Sequence, residues 1–131
     1  MLEAVAAEST GFTIFGDDYP TADGTAVRDY VHVTDLADAH VNAVRALLDG
    51  AESTALNLGT GRGWSVRELV ASVRDVTGCN IPVLVGAPCP GDPPVLIADA
   101  SRARHQLAWR PRYFEPEQPG HACLGLAARR R

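Results

Sequence analysis

The chain has 131 residues, of which 46% are hydrophobic and 21% are charged, and its formal net charge is −4. This length allows one modest core, the negative charge gives no broad basic field for nucleic acid, and no apolar run is long enough to span a membrane, so we expect a cytoplasmic protein without nucleic-acid or membrane partners. All 12 basic residues are arginine, which excludes a Schiff-base lysine, a P-loop lysine and a Tyr-x-x-x-Lys catalytic pair.

The first part of the chain predicts a helix end, a strand and a long loop. Within residues 1–9, Leu2, Val5 and Ala6 lie on one helical face, and Phe12–Phe15 is a short β-rich run. Turn-forming residues fill 17–25. Their spacing does not match the oxygen ligands of a calcium loop, so turn and cap roles are favoured. A second β-rich run lies between Val27 and Val33.

An amphipathic helix is predicted next, from Asp35 to about Leu48. Thr34 is its expected N-cap, and Gly50 ends it. The expected buried stripe consists of apolar residues near helical spacing, namely Leu36, Ala39, Ala43 and Leu47.

The middle of the chain combines a strand, a glycine-rich turn and a capped helix. Ala55–Leu58 predicts a short buried strand, and Gly59–Gly63 follows it. The turn lacks the G-x-G-x-x-G spacing, and no acidic residue ends a strand about 20 residues later, so a dinucleotide loop is rejected. Ser65 and Glu68 have the spacing of a capping box for a helix that runs to Val76.

The last predicted elements surround an open, proline-rich loop. Extended segments at 81–85 and 95–99 flank this loop at 86–94, and a short helix follows at 102–107. Short strands that alternate with helices indicate an α/β fold.

Arg28 is the strongest functional candidate on the chain. It lies on a short strand beside a loop, and a guanidinium can bind a phosphate through two parallel hydrogen bonds. The alternative is an ion pair with Asp29 or another carboxylate that holds a loop, and the residues alone favour it. His32 and His40 are interpreted as hydrogen-bonded core residues rather than catalysts.

Five motifs have a recognisable order along the chain. They are Gly-x-Asp-Tyr-Pro-Thr-x-Asp-Gly-Thr at 16–25, Arg-Asp-Tyr-Val-His-Val-x-Asp-Leu-Ala at 28–37, Asn-Leu-Gly-Thr-Gly at 57–61, Gly-Asp-x-Pro at 91–94 and Ala-Asp-x-Ser-x-Ala at 98–103. Together they resemble the UDP-glucose 4-epimerases, which are extended short-chain dehydrogenase/reductases. The resemblance implies that 1–113 is the C-terminal, substrate-binding portion of an extended Rossmann-type epimerase, an incomplete α/β fold in which short strands alternate with helices.

The same resemblance implies a UDP-sugar site. The implied contacts are Thr13, Ile14 and Phe15 through the backbone to uracil, Arg28 to the phosphates and Asp92 to the ribose hydroxyls. The family has an arginine pair before this Gly-Asp, where the present chain has Pro88 and Cys89. Loss of one charged hydrogen bond costs roughly 1.5–3 kcal/mol, so we expect UDP-sugar binding to be weaker than in the family.

The implied activity is a part of an epimerase that interconverts UDP-glucose and UDP-galactose through a transient NAD-linked 4-keto intermediate. NAD is the cofactor of the full-length family, whose members are often homodimeric. Neither the glycine-rich NAD fingerprint nor the Tyr-x-x-x-Lys pair is present here. We therefore expect the isolated chain to be inactive and assign none of its residues to catalysis, NAD or a metal.

Three alternatives remain for the function. One is a related nucleotide-sugar epimerase or dehydratase. Another is a non-catalytic nucleotide-sugar-binding module that uses Arg28 and Asp92. The third is a truncated gene product without a role, whose exposed sheet edge promotes aggregation.

The likeness to the family stops after Tyr113. Residues 114–131 are expected to form a divergent or frameshifted, disordered tail, because a one-base shift between about Tyr113 and Gly120 would restore the family's tryptophan-containing helix. The alternative is a genuinely divergent tail that binds an acidic surface.

Overall fold

Short strands and helices alternate along the chain in a computed structural model that describes residues 11–113. The elements are β1 (Phe12–Phe15), β2 (Val27–Arg28), α1 (Val33–Leu48), β3 (Trp64–Ser65), α2 (Val66–Thr77), β4 (Val83–Gly86), β5 (Val95–Leu96) and α3 (Ser101–Gln106). The predicted α/β class is confirmed. The helix end predicted at 1–9 and the tail predicted at 114–131 lie outside the described residues.

The strands between residues 11 and 113 form two small sheets. In the first, β1 pairs with β4 in parallel, from Phe12 opposite Val83 to Phe15 opposite Gly86. In the second, β2 is central, with β3 antiparallel on one side and β5 parallel on the other. Arg28 is the last residue of this central strand.

The start of α1 differs from the prediction because His32, not Thr34, is the N-cap. The Nδ1 atom of His32 accepts a hydrogen bond from the Thr34 N–H at 3.1 Å, and its ring lies 5.4 Å from the Tyr113 ring. Since α1 begins at Val33, the β-rich run predicted to reach that residue ends instead at Arg28. His32 is therefore a half-buried cap rather than a core residue.

The inner side of α1 packs on α3. The buried core here consists of Ala39, Ala100, Ala103 and Trp109. Asp35 is fully buried at the start of α1. Its carboxylate accepts hydrogen bonds from the backbone N–H groups of Arg112 at 2.9 Å and Tyr113 at 3.0 Å, and its backbone oxygen accepts one from Trp109 Nε1 at 2.7 Å. These bonds fix residues 109–113 against α1.

The outer side of α1 is apolar and exposed to solvent. We use the name outer stripe for five exposed residues at helical spacing, namely Val33, Ala37, Val41, Val44 and Leu48. Two predictions of buried positions on this helix are wrong. Leu47 is 51% exposed, and His40 is exposed with its Nδ1 bonded to the Leu36 carbonyl oxygen.

The strand predicted at Ala55–Leu58 does not form. A β-strand needs a hydrogen-bonded neighbour, and none of the strands between residues 11 and 113 pairs with this segment. Leu56 and Leu58 nevertheless lie half-buried against the core beneath α1. The sequence therefore predicted which side chains of this segment face the core, but the segment is only half-buried there and has no backbone pairing.

The capping box of α2 forms as predicted. Ser65 Oγ accepts a hydrogen bond from the Glu68 N–H at 3.0 Å, and Glu68 Oε2 accepts one from the Ser65 N–H at 2.8 Å. Gly78 ends the helix with a left-handed φ of 67°. The part of the chain described by the structure contains no helix long and apolar enough to cross a membrane.

Candidate functional site

β2 holds Arg28 in the middle of a three-stranded sheet. Its register partners are Trp64 on β3 and Leu96 on β5. The Arg28 side chain is 20% exposed. Its Nη1 atom donates to the Val27 carbonyl oxygen at 2.8 Å, and its Nη2 atom donates to Asp92 Oδ1 at 2.5 Å. The guanidinium is therefore fixed in position while it remains accessible to solvent.

The loop between β4 and β5 brings Asp92 to Arg28. A turn in this loop is closed by a hydrogen bond from the Asp92 N–H to the Cys89 carbonyl oxygen at 3.1 Å, with Gly91 at φ 81°. The Asp92 side chain is 39% exposed. Because partly exposed ion pairs contribute only about 0–1 kcal/mol, an incoming anion can compete with Asp92 for the guanidinium.

Two residues predicted to contact one ligand, Arg28 and Asp92, thus lie in direct contact although they are 64 positions apart. This contact is also the kind of loop-holding ion pair that the alternative interpretation of Arg28 anticipated. Asp29, which that interpretation named as the first possible partner, instead accepts hydrogen bonds from the glycine-rich turn.

Asp29 organises the glycine-rich turn beside the site. Its Oδ1 atom accepts hydrogen bonds from the Thr60 N–H at 2.9 Å and the Thr60 hydroxyl at 2.6 Å. Its Oδ2 atom accepts from the Gly61 N–H at 3.0 Å and the Ala98 N–H at 3.3 Å. A Cβ atom at Gly59 would lie 2.5 Å from Asp29 Oδ2, so only glycine fits there.

These contacts decide whether the turn can hold a dinucleotide. A phosphate-binding loop needs backbone N–H groups that point at the ligand. Here the N–H groups of Thr60 and Gly61 already donate to Asp29. The turn therefore does not fit the pyrophosphate of NAD.

β1 carries the three residues predicted to meet uracil. Ile14 is buried, Thr13 is half-buried, and Phe15 is 57% exposed. The Gly16 N–H donates to the Gly86 carbonyl oxygen at 3.0 Å, where the loop with Asp92 begins. β1 therefore borders this loop, but it belongs to a different sheet from β2.

Tyr19 is a site neighbour that sequence reasoning missed. Its hydroxyl is buried without a hydrogen-bond partner among the described residues. Burial raises the pKa of Tyr19, and the nearby Asp92 and Cys89 raise it further while Arg28 opposes them. A Cβ atom at Gly16 would lie 2.6 Å from the Tyr19 ring. The sequence feature that could have indicated Tyr19 is its position in the Asp-Tyr-Pro-Thr motif.

A second arginine also approaches this region. The Arg62 guanidinium carbon lies 4.5 Å from the centre of the Trp64 ring, and Trp64 is the register partner of Arg28. The sequence did not indicate a role for Arg62, because its stacking partner Trp64 lies next to Arg28 only as a result of strand pairing.

Comparison with known proteins finds relatives among the UDP-glucose 4-epimerases. The family described as the NAD dependent epimerase/dehydratase family matches residues 1–59. A UDP-glucose 4-epimerase from Lacticaseibacillus casei is 50% identical over 113 residues, which are 86% of this chain and 34% of that protein. One from Azospirillum brasilense is 48% identical over 111 residues, which are 85% of this chain and 32% of that protein.

Solved structures agree with the sequence comparison. The UDP-glucose 4-epimerase from Brucella ovis in complex with NAD has a TM-score of 0.80 at 44% identity, covering 91% of this chain and 37% of that chain. The enzyme from Bifidobacterium longum in complex with NAD+ and UDP has a TM-score of 0.78 at 34% identity, covering 98% and 38%. The chain thus spans about a third of the length of the curated relatives it matches.

Proposed function

Because this chain corresponds to one part of the UDP-glucose 4-epimerases in the NAD-dependent epimerase/dehydratase family, we propose that residues 1–113 are the C-terminal, substrate-binding portion of such an enzyme. The complete protein would interconvert UDP-glucose and UDP-galactose with NAD as cofactor. This chain would supply contacts to the nucleotide sugar and would be inactive alone.

The observation that carries the proposal is the contact between Arg28 and Asp92 at 2.5 Å. A fixed guanidinium matches the charge and the planar hydrogen-bonding geometry of a phosphate. A carboxylate beside it can turn to accept hydrogen bonds from the hydroxyls of a ribose. Together the two side chains fit a ligand that has a diphosphate next to a sugar.

The uracil end of the ligand is assigned to Thr13, Ile14 and Phe15. Support comes from the position of β1, whose last residue lies opposite Gly86 at the start of the Asp92 loop. Because Ile14 is buried, this contact would use backbone atoms rather than its side chain.

Binding of UDP to the full chain tests this proposal. Isothermal titration should give measurable affinity, and Arg28→Ala should weaken it by about 10- to 150-fold, the equivalent of a charged hydrogen bond. Arg102→Ala is the matched control, because Arg102 donates to Thr54 Oγ1 at 2.9 Å, away from Asp92. Equal affinities for the two variants would contradict the proposed role of Arg28.

The predicted inactivity has a separate test. Hydride transfer to NAD requires a bound cofactor and a catalytic base, and this lysine-free chain has no Tyr-x-x-x-Lys pair. The purified chain should show no epimerase activity with NAD and UDP-galactose. Activity above that of a mock purification would overturn this part of the proposal.

The nucleotide-sugar-binding module remains the second candidate, since both Arg28 and Asp92 lie within this chain. The two candidates differ when the chain is co-expressed with the remaining portion of the Lacticaseibacillus casei relative. If this chain is part of an epimerase, co-expression of the two portions should restore epimerase activity. A binding module should retain its UDP affinity and restore none.

The proposal also includes a cytoplasmic location and, for the complete protein, a homodimer without nucleic-acid or membrane partners. Cys79 and Cys89 are exposed and unpaired, which supports a reducing compartment. Fractionation and light scattering of the complete protein would test the location and the dimer.

A further inference from the structure

The loop that carries Asp92 contains no cation that could bind a second phosphate. Between Gly86 and Pro94, Asp92 is the only Asp, Glu, Lys or Arg residue. Arg28 already forms an ion pair with that carboxylate, with 2.5 Å between Arg28 Nη2 and Asp92 Oδ1. A ligand with two phosphates would therefore meet a pair of protein groups with no net charge on this side of β2.

The opposite side of β2 offers a positive charge. Trp64 lies directly across the antiparallel pair from Arg28, and residues opposite each other in such a pair project from the same face of the sheet. The Arg62 guanidinium stacks on the Trp64 ring, 4.5 Å from its centre. Trp64 thus lies next to both arginines, Arg28 through strand pairing and Arg62 through stacking.

Within residues 11–113, no ion pair neutralises the charge of Arg62. No carboxylate between residues 11 and 113 lies within salt-bridge distance of its guanidinium, and the residue is exposed. Contact with an aromatic face leaves the N–H donors at the edge of the guanidinium free to bind another group. Arg62 therefore combines a fixed position with an available positive charge.

The backbone that carries Arg62 is tied to the strand end that carries Arg28. The Arg62 N–H donates to Thr60 Oγ1 at 3.1 Å, and that hydroxyl donates to Asp29 Oδ1 at 2.6 Å. Asp29 directly follows Arg28. One hydrogen-bonded chain thus sets the position of the turn with Arg62 relative to β2.

We propose that Arg62, presented by Trp64, is the second phosphate-binding cation of the nucleotide-sugar site and approaches the diphosphate from the side of β2 opposite the Asp92 loop. This inference rests on the proposed function. It places the second cation on the glycine-rich turn, since the loop from Gly86 to Pro94 contains no Lys or Arg.

Titration of the full chain with UDP, UMP and uridine tests the inference. Arg62→Gln should weaken UDP binding by about tenfold, since it removes a charge-assisted hydrogen bond. It should weaken UMP binding less and leave uridine binding unchanged. Arg62→Lys keeps the charge and should recover most of the affinity for UDP. Arg102→Gln is the control for loss of one exposed positive charge.

Three outcomes would overturn the inference, and only the last of them would also overturn the proposed function. If Arg62→Gln binds UDP as tightly as Arg102→Gln while Arg28→Ala remains impaired, the inference fails and the proposed function stands. Equal losses for UDP, UMP and uridine would show that Arg62 only supports the shape of the turn, and would overturn the inference. Absence of UDP binding by the unchanged chain would overturn both. Circular dichroism of every variant checks that the fold is retained.

Discussion

The two sides of α1 are both apolar, but only one is covered. The inner side packs Ala39 with Trp109 and is tied to residues 109–113 through the buried carboxylate of Asp35. The outer stripe is exposed, with Val44 at 57% and Leu48 at 82%. Apolar residues on both sides are typical of a helix that packs on both sides. The helical periodicity of the sequence therefore identifies the apolar faces of α1, but it does not show which of them is covered.

The largest expected effect is on the inner side. Trp109→Ala removes a side chain that is 2% exposed and deletes the hydrogen bond from its Nε1 atom to the Asp35 carbonyl oxygen. We expect a loss of about 3–5 kcal/mol in the free energy of unfolding, as for other buried tryptophans. Urea denaturation followed by far-UV circular dichroism measures it. A loss below about 1 kcal/mol would show that the inner side does not stabilise this chain.

Asp29→Asn should have the next largest effect. The substitution keeps the size of the side chain, but one carboxylate oxygen becomes an amide donor that faces the N–H groups of its former partners. We expect a loss of about 1–3 kcal/mol in the free energy of unfolding. Asp75→Asn on the exposed side of α2 is the control. Equal denaturation midpoints for the two variants would contradict the role assigned to Asp29.

Val44→Asp on the outer stripe should change stability little. Since Val44 is exposed in this chain, we expect a change within about 0.5 kcal/mol in the free energy of unfolding. The same variant should be more soluble, because the charge interrupts an exposed apolar patch. Denaturation and the concentration at which the protein precipitates are the two measurements. A destabilisation as large as that of Trp109→Ala would show that the outer stripe stabilises this chain as much as the inner side does.

The smallest effect concerns pH and a third carboxylate, Asp23. Burial would raise its pKa, but hydrogen bonds from the Ser65 hydroxyl, the Thr25 N–H and the Thr25 hydroxyl outweigh burial and lower the pKa. A lowered folded-state pKa contributes stability above the unfolded-state pKa of about 3.9, and this stability is lost as the pH falls through the folded-state pKa.

Denaturation midpoints measured downward from about pH 5 would test this effect. The original chain should lose stability more steeply than Asp23→Asn, which has no carboxylate to protonate at this position. Identical pH profiles for the two proteins would show that the hydrogen bonds of Asp23 add no pH-dependent stability.

Features encoded by neighbouring residues were predictable from the sequence. The capping box of α2 depends on Ser65 and Glu68, three positions apart, and it forms as expected. β1 has the predicted bounds. The α/β class and the resemblance to the UDP-glucose 4-epimerases are also confirmed.

Features that depend on distant residues were not predictable. Asp35 was recognisable as part of the first helical turn, but its burial requires residues 109–113. The segment 55–58 has strand composition, but composition does not supply a pairing partner. At the site, the residue chemistry indicated Arg28 and the family resemblance implied Asp92. Their mutual contact and the position of Arg62 depend on loop placement and strand register, which the sequence does not reveal. The ligand-binding roles of these residues remain predictions.

The parallel pairing of the strands has a consequence for folding kinetics. Phe12 pairs with Val83, and Val27 pairs with Val95, so each parallel contact closes a segment of about 70 residues. Chains dominated by such distant pairings fold slowly, because the entropy of loop closure is lost before the contacts form. The β1–β4 pair therefore cannot be complete until translation has passed Gly86, and the β2–β5 pair cannot be complete until translation has passed Leu96.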